Sequence, residues 1–438
     1  MNAQIPARIA SILMNALKGG VVPRVGLEYI TVGRAREIEA LLHDIDITAQ
    51  GGASFRFIVG KYGSGKSFLL QTIRNYATAR GFAVADADLS PERRFAGTKG
   101  QGLATYRELI KNLSVKSKPD GGALPLILEK WLSEIHTRVK TESGAQGADF
   151  DREVERQIFA VAGSLEGMVH GFDFAKAIAA YWRAYRHDDE ALKSNALRWF
   201  RGEYPSKREA KAELDVGFIV TDETWYDFLK IFALFLVGVG YKGLLVFIDE
   251  LVNIYKIPNS VTRQNNYEKI LIMYNDALQG KAQHIGFLMG GTPQCVEDRY
   301  KGVYSYEALR SRLEEGHFSS DGLKDLTAPI IRLQMLTQEE MYVLAEKLRD
   351  IHAQLYSYQP RLSHEDLVYF LTVEYNRVGA DTHITPREII RDFIELANIL
   401  HQNPRESVAG ILGGNSFELA KGGLSEEGYH GEFSEFEV

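Results

Sequence analysis

Apolar positions along this chain follow two periods. Near the N-terminus Ile5, Ile9, Ile12, Leu13, Ala16 and Leu17 recur every three or four residues, between Pro6 and the pair Gly19-Gly20. That spacing predicts an amphipathic helix delimited at both ends. A loop with Pro23 and Gly26 follows, and Val32-Gly33-Arg34 makes a turn into a second helix carrying Glu37, Ile38 and Ile45. Elsewhere the apolar residues cluster in short, dense runs. Phe55 to Val59, Gly81 to Asp88, Leu244 to Glu250, Ile285 to Met289 and Pro329 to Leu336 each read as a strand buried on both faces, the pattern of a parallel sheet. Between the second and third strands helical spacing returns in Leu103–Leu113, Leu124–Val139, Asp151–Ala162, Phe172–Tyr185 and Glu190–Arg201. Glycine-rich breaks separate them, so residues 100–215 or so read as a helical insertion. After the last strand, Thr337-Gln338-Glu339-Glu340 signals a helix start. Met341–Leu355, Glu365–Asn376 and Pro386–Leu400 then complete a small helical lid.

The pattern therefore predicts an α/β protein: a parallel sheet flanked by helices, with a large helical insertion and a C-terminal helical lid. The expected organisation is a leader over residues 1–30, a core over 31–336, the lid over 337–401 and an acidic tail over 402–438. The tail is Gly- and Glu-rich with spaced aromatics, a composition expected to stay disordered and suited to docking on a partner.

Composition narrows the classes. With 438 residues, 45% hydrophobic and 25% charged, the chain is that of an ordinary soluble protein with a sizeable core. Its net charge of -7 gives no global positive field, so any contact with nucleic acid must be local. The insertion's basic residues, among them Lys111, Arg183, Arg186, Lys193, Arg198 and Lys207, alternate with acids, as on a solvated face or a DNA-facing one. Cys295 is the single cysteine, which excludes an internal disulfide and a Cys-rich zinc site and fits a reducing cytoplasm. The most apolar run, Ile231 to Val239, is far shorter than the roughly 20 residues a membrane span needs and reads as a buried helix. The N-terminal helix, interrupted by Asn15 and followed by no cleavage-type region, is not the pattern of a signal peptide.

The chemistry concentrates in Arg56 to Phe68, RFIVGKYGSGKSF. Gly60, Lys61, Tyr62, Gly63, Ser64, Gly65, Lys66 and Ser67 fit the phosphate-binding loop pattern, with a strand before and a helix from Ser67 after, so the stretch through Phe68 is the candidate nucleotide cradle. Glycines at 60, 63 and 65 are expected to free the backbone so that successive N–H groups turn toward phosphate at a helix N-terminus. Lys66 would reach the β- and γ-phosphates and Ser67 would place its hydroxyl on Mg²⁺. The strand LLVFIDE ends in Asp249 and Glu250, the Walker B arrangement: Asp249 would hold Mg²⁺ and Glu250 would orient and polarise the attacking water. Asp88, at the end of the second strand, reads as polar lining of the same site or as a cap for Pro91 to Arg94.

Several further residues gain meaning from a resemblance to AAA+ ATPases. In that layout a segment similar to Val32-Gly33 lies beside the adenine, although Gly33 could simply make the turn. The strand after Walker B lies between it and the phosphate loop, and a polar residue at its end, here Thr292, senses the γ-phosphate unless it only caps the next helix. Arg312, or else Arg310, stands where such proteins carry an arginine that completes a neighbour's site, and surface ion pairing is the other reading. Arg387, in Thr385-Pro386-Arg387-Glu388, stands where a second sensor arginine is often found, and an ordinary first-turn surface arginine is the other reading.

More closely, the chain resembles the phosphate-loop ATPases of the bacterial BREX phage-exclusion systems, of the shorter BrxD type. The resemblance rests on ALKGGVVPRVGLEY, ITVGR, GKYGSGKSFLL, the helical insertion before LLVFIDELVNIY, FLMGGTP, LRSRL and ITPREIIRDF, and spans most of residues 5–400. It implies an origin-recognition-like AAA+ ATPase in antiphage defence. ATP and Mg²⁺ would be its cofactors; a helicase, DNA and further copies of the chain would be its partners. A switch or scaffold with negligible turnover is the alternative.

Overall fold

The computed structural model describes residues 5–144, 146–164, 171–314, 325–376 and 385–413. It divides into two units, one over Arg34–Met335 and one combining Met1–Gly33 with Leu336–Val438.

The first unit is built on five strands: β1 (Ala53–Gly60), β2 (Ala83–Asp88), β3 (Leu244–Asp249), β4 (Ile285–Gly291) and β5 (Ile330–Leu333). Their order is β2-β3-β4-β1-β5, and every pairing is parallel. β4 thus lies between β3 and β1, the position expected of the strand that follows Asp249. Because successive strand residues point to opposite faces, each apolar run feeds two cores. Phe55, Phe57, Val59, Val246, Ile248, Phe287 and Met289 enter one; Ile58, Leu245, Phe247, Leu288 and Ile331 enter the other. The smaller core is closed by the helices Ala35–Ala49, through Leu41 and Ile45, and Lys66–Ala79, through Leu69, Leu70, Ile73 and Ala77.

The larger core is covered by the helices Trp225–Gly238 and Ser260–Leu278 and by the segment between β2 and β3. Besides Trp225–Gly238, that segment's described residues form the helices Gln101–Lys111, Leu124–Glu142, Ala148–Ser164, Gly171–His187, Glu190–Phe200 and Lys207–Leu214. They gather around the apolar run noted above: Trp131 and Phe174 each place a ring 5.3 Å from Phe235. The run is apolar on all sides because the helix that carries it is buried on nearly all sides. The helix Ser260–Leu278 has no legible stripe because its buried positions include Arg263 and Asn266. Asn266 is satisfied there by the backbone of Phe95 and Ala96, its Oδ1 accepting both N–H groups at 2.9 and 3.0 Å.

One buried ion pair fixes the entry to the sheet. Arg56 on β1 donates to Asp44 from Nε at 2.6 Å and from Nη2 at 2.7 Å, and its Nη1 donates to the carbonyls of Thr327, at 2.6 Å, and Ala328. This fork ties the helix Ala35–Ala49, β1 and the chain entering β5 into one polar knot.

The second unit is helical. The leader helix Ala7–Lys18 buries Ala10, Leu13, Met14 and Leu17 and packs on Gln338–Leu355 and Pro386–Gln402. The sequence sets residues 1–30 apart, since an amphipathic stripe shows that a helix must pack without showing on what; here it packs on the C-terminal helices. Gln354 holds its start, donating from Nε2 to Ile5 O at 2.7 Å. Gln338–Leu355, His364–Tyr375 and Pro386–Gln402 each begin with a reciprocal cap, Thr337 with Glu340, Ser363 with Asp366 and Thr385 with Glu388. Beyond residue 402, where an irregular acidic tail is expected, the chain forms one more short helix, Val408–Gly413, with Val408 and Leu412 buried. The rest of that expected tail, 414–438, lies outside the described residues.

Candidate functional site

Parallel strands all end at the same edge, so the segments leaving β1, β2, β3 and β4 meet there. β1 runs into the glycine-rich loop 61–65, and the helix Lys66–Ala79 starts directly after it. Gly63 and Gly65 have φ of 80° and 85°, a region open to glycine and closed to most side chains. Gly60 is glycine for another reason than the one expected. No left-handed φ is needed there; a Cβ would stand 2.2 Å from Ser64 Oγ and 3.0 Å from Leu333 O, so the requirement is space. Lys61 and Tyr62 are exposed, Ser64 is buried and Phe68 is half-buried.

The helix Lys66–Ala79 has Gly65 as its N-cap and no side-chain cap, so its first-turn N–H groups are not taken by a capping oxygen. Lys66 Nζ folds back onto the loop, donating to Gly60 O at 2.9 Å and Lys61 O at 3.1 Å. Burial pulls its pKa below the usual lysine value, against the opposing pull of Asp249 and Glu250.

Ser67 and Asp249, far apart in sequence, are joined: Ser67 Oγ donates to Asp249 Oδ2 at 2.9 Å. Asp249 Oδ1 accepts from Glu250 N at 2.9 Å. Glu250 has φ 63°, a strained choice for a residue with a Cβ, which turns it out of the strand immediately after Asp249. Gly290 on β4 makes room for this arrangement, since a Cβ there would lie 2.2 Å from Asp249 Oδ1. The sequence shows the Gly290-Gly291 pair but not its purpose, which depends on the β3–β4 register.

Asp88 is a third carboxylate at this edge. It pairs in register with Asp249, and no helix forms over residues 91–94 for it to cap. The capping reading of Asp88 is therefore corrected: Ser90 Oγ takes that part, accepting from the N–H groups of Glu92 and Arg93 at 3.2 Å each. Desolvation first, then Asp249 and Asp86, hold the Asp88 carboxyl above the usual aspartate range. Glu250 is raised likewise, by desolvation, Asp249 and Asp88, with Lys66 opposing. Crowded carboxylates of this kind favour a nearby cation. Among the described residues, however, no group of three or more His, Cys, Asp or Glu side chains is placed to hold a metal by itself. Ser67 and Asp249 thus offer a partial ligand set, which fits an ion such as Mg²⁺ that takes its remaining ligands from phosphate and water.

The other predicted residues are spread more widely. Thr292 ends β4 as the N-cap of Pro293–Glu297, and its Oγ1 accepts from Cys295 N at 3.3 Å. Arg310 and Arg312 lie in the last turn of Glu307–Leu313. Arg310 stands 4.0 Å from Glu307, and Arg312 Nη1 donates to Ala308 O at 2.6 Å. Val32, Gly33 and Arg387 belong to the helical unit. Gly33 has φ 67°, and a Cβ there would meet Glu340 Oε1 at 2.2 Å, so the turn by itself demands glycine. Arg387 is exposed in the first turn of Pro386–Gln402, with its aliphatic stem beside Gly20.

No helix among the described residues is long and apolar enough to cross a membrane. Comparison with curated proteins finds no match. A family model described as "BREX system ATP-binding protein BrxC/D" matches residues 5–415, a span that takes in the glycine-rich loop, the Asp249-Glu250 strand end and the helices on either side of the sheet unit. By that match, the chain belongs to the BrxC/BrxD family of BREX-system ATP-binding proteins.

Proposed function

We propose that this chain is an AAA+ ATPase that binds Mg·ATP at the sheet edge and hydrolyses it in the service of BREX defence. The observation that carries the reading is the Ser67–Asp249 hydrogen bond, with Glu250 turned out beside it and Lys66 on the loop. The strand order, with β4 between β3 and β1, supports the AAA+ assignment. Residues 60–68 would cradle the phosphates, Lys66 would neutralise them, and Ser67 and Asp249 would hold Mg²⁺. The ion would supply charge neutralisation on the phosphate oxygens. Glu250 would accept a proton from the attacking water, a role its raised pKa suits. Thr292 would sense the γ-phosphate with its O–H while its lone pair caps the helix. Arg312 or Arg310 would complete the site of a neighbouring copy, Arg387 would act as second sensor, and Val32 and Gly33 would border the base. The leader, core and helical lid would then be the moving parts of a cytoplasmic oligomer.

The partner that the surface favours is a protein rather than DNA. Five of the insertion's cations face acids: Lys111 with Glu108, Arg183 with Glu155, Arg186 with Asp151, Lys193 with Glu129, and Arg198 with Glu209 and Glu213, while Lys207 lies over the Phe218 ring. A face so paired offers little net charge for phosphate backbones. Hydrolysis assays with added duplex DNA, or with the proteins encoded beside this chain, test the choice. Stimulation by a protein partner and salt-insensitive turnover are expected; stimulation by DNA that falls steeply with salt would reverse it.

A further inference from the structure

The chain passes between its two units twice, after Gly33 and after Met335. Arg34, the first residue of the sheet unit, is 6% exposed. Its Nη2 donates to two carbonyls at once, Ser64 O at 3.1 Å and Gln334 O at 2.6 Å. One nitrogen therefore links the middle of the glycine-rich loop to the last residues before the second passage, while the residue that carries it opens the first. The crossings are also neighbours on the helical side. Gly33 lies against the Glu340 carboxylate, which closes the cap on Thr337 by accepting from Thr337 N at 2.9 Å.

The peptide between Ser64 and Gly65 is planar and trans, so its C=O and N–H point in opposite directions. A guanidinium that holds Ser64 O consequently sets the direction of Gly65 N–H, which points opposite to that carbonyl. Gly65 is also the N-cap of Lys66–Ala79, so this N–H stands among the donors at that helix start. A change in the loop backbone would alter the acceptor that Arg34 sees, and the shared Nη2 would carry that change to its bond with Gln334 O.

We propose that Arg34 is a positioning residue that fixes the Gly65 N–H for phosphate and couples occupancy of the loop to both chain crossings. The proposal rests on the ATP reading above and adds to it the route by which bound nucleotide reaches the helical unit. Charge-assisted hydrogen bonds of this kind correspond to about 10- to 100-fold in binding.

The test uses the full-length protein, wild type, Arg34→Met, Arg34→Lys and Lys66→Ala, with Mg·ATP and Mg·ADP as probes. Affinity is read by calorimetry, and hydrogen exchange is read at residues 63–67, 31–35 and 334–337 with nucleotide at saturation. In wild type, ATP is expected to slow exchange in all three segments. In Arg34→Met the affinity falls about 10- to 100-fold, and saturating ATP still protects 63–67 but no longer alters 31–35 or 334–337. Arg34→Lys keeps the charge, guards against loss of folding, and should fall between the two. Equal protection of the crossings in wild type and both Arg34 variants would overturn the proposal while leaving the ATP site intact. Absence of nucleotide binding by wild type, matched by Lys66→Ala, would instead overturn the ATP reading and the proposal with it.

Discussion

Replacing Gly290 with alanine isolates the geometry on which the proposed hydrolysis depends. The added Cβ would lie 2.2 Å from Asp249 Oδ1, 2.9 Å from its Cγ and 3.2 Å from Leu70 Cδ1. Ordinary contact begins near about 3.5 Å, so the carboxylate must retreat by roughly 1 Å or more. Asp249 holds Ser67 Oγ and Glu250 N at 2.9 Å each, and a retreat of that size stretches both beyond hydrogen-bonding distance. A misplacement of about 1 Å in catalytic machinery lowers the rate about 100-fold, and overpacking destabilises by about 1–3 kcal/mol. Gly290→Ala should therefore fold, with a lowered melting temperature, bind ATP, need more Mg²⁺ and turn over about 100-fold more slowly. Gly238→Ala is the control: nothing lies within 4 Å of a Cβ there, and a helical Gly-to-Ala change stabilises by about 0.5–1 kcal/mol. A folded Gly290→Ala protein with wild-type turnover and Mg²⁺ dependence would refute the argument.

Other outcomes follow from the same geometry. Asp44→Ala strands the Arg56 guanidinium in a buried setting and should destabilise the sheet unit by about 3–5 kcal/mol, read as a lowered denaturant midpoint for that unit's transition. Glu250→Gly relieves the positive φ, so turnover should vanish while stability rises by up to about 1 kcal/mol; a thermal melt that drops would count against the strain assignment. His352, buried between Tyr358 and Asn398, has its pKa lowered by desolvation. The unfolded chain therefore binds a proton more readily, so stability holds above about pH 6.5, the unfolded value, and is lost as pH falls from there toward the lowered folded value. Unfolding followed between pH 7.5 and 5 should show that loss for wild type, and a much weaker one for His352→Gln.

Much of the sheet edge was legible because its signals are local. A phosphate-loop pattern needs only its own residues and a strand before it, and five apolar runs bounded by glycine or acid announce a parallel sheet wherever they occur. The pairing of Ser67 with Asp249 could be anticipated, since parallel strands deliver their C-terminal ends to one edge. What the sequence hid depended on distant neighbours. Pro91 suggests a helix with Asp88 as its cap, but Ser90 closes a tight turn and leaves Asp88 beside Asp249. Gly60 and Gly290 are small for the sake of Ser64 and Asp249, which only the folded register reveals. The leader's stripe could not name the C-terminal helices as its partner, and the mixed buried face of Ser260–Leu278 masked a helix that Asn266 anchors by hydrogen bonds rather than by apolar contact.

The central claim, that this edge hydrolyses ATP with Glu250 activating water, is tested most directly by steady-state Mg·ATP hydrolysis of wild type beside Glu250→Gln, with ATP binding measured on both. The account predicts that Glu250→Gln binds ATP as tightly as wild type, because the loop, Lys66, Ser67 and Asp249 are untouched, while its turnover is lost. Equal turnover by the two proteins, or tight binding by wild type with no hydrolysis in the presence of its partners, would contradict it.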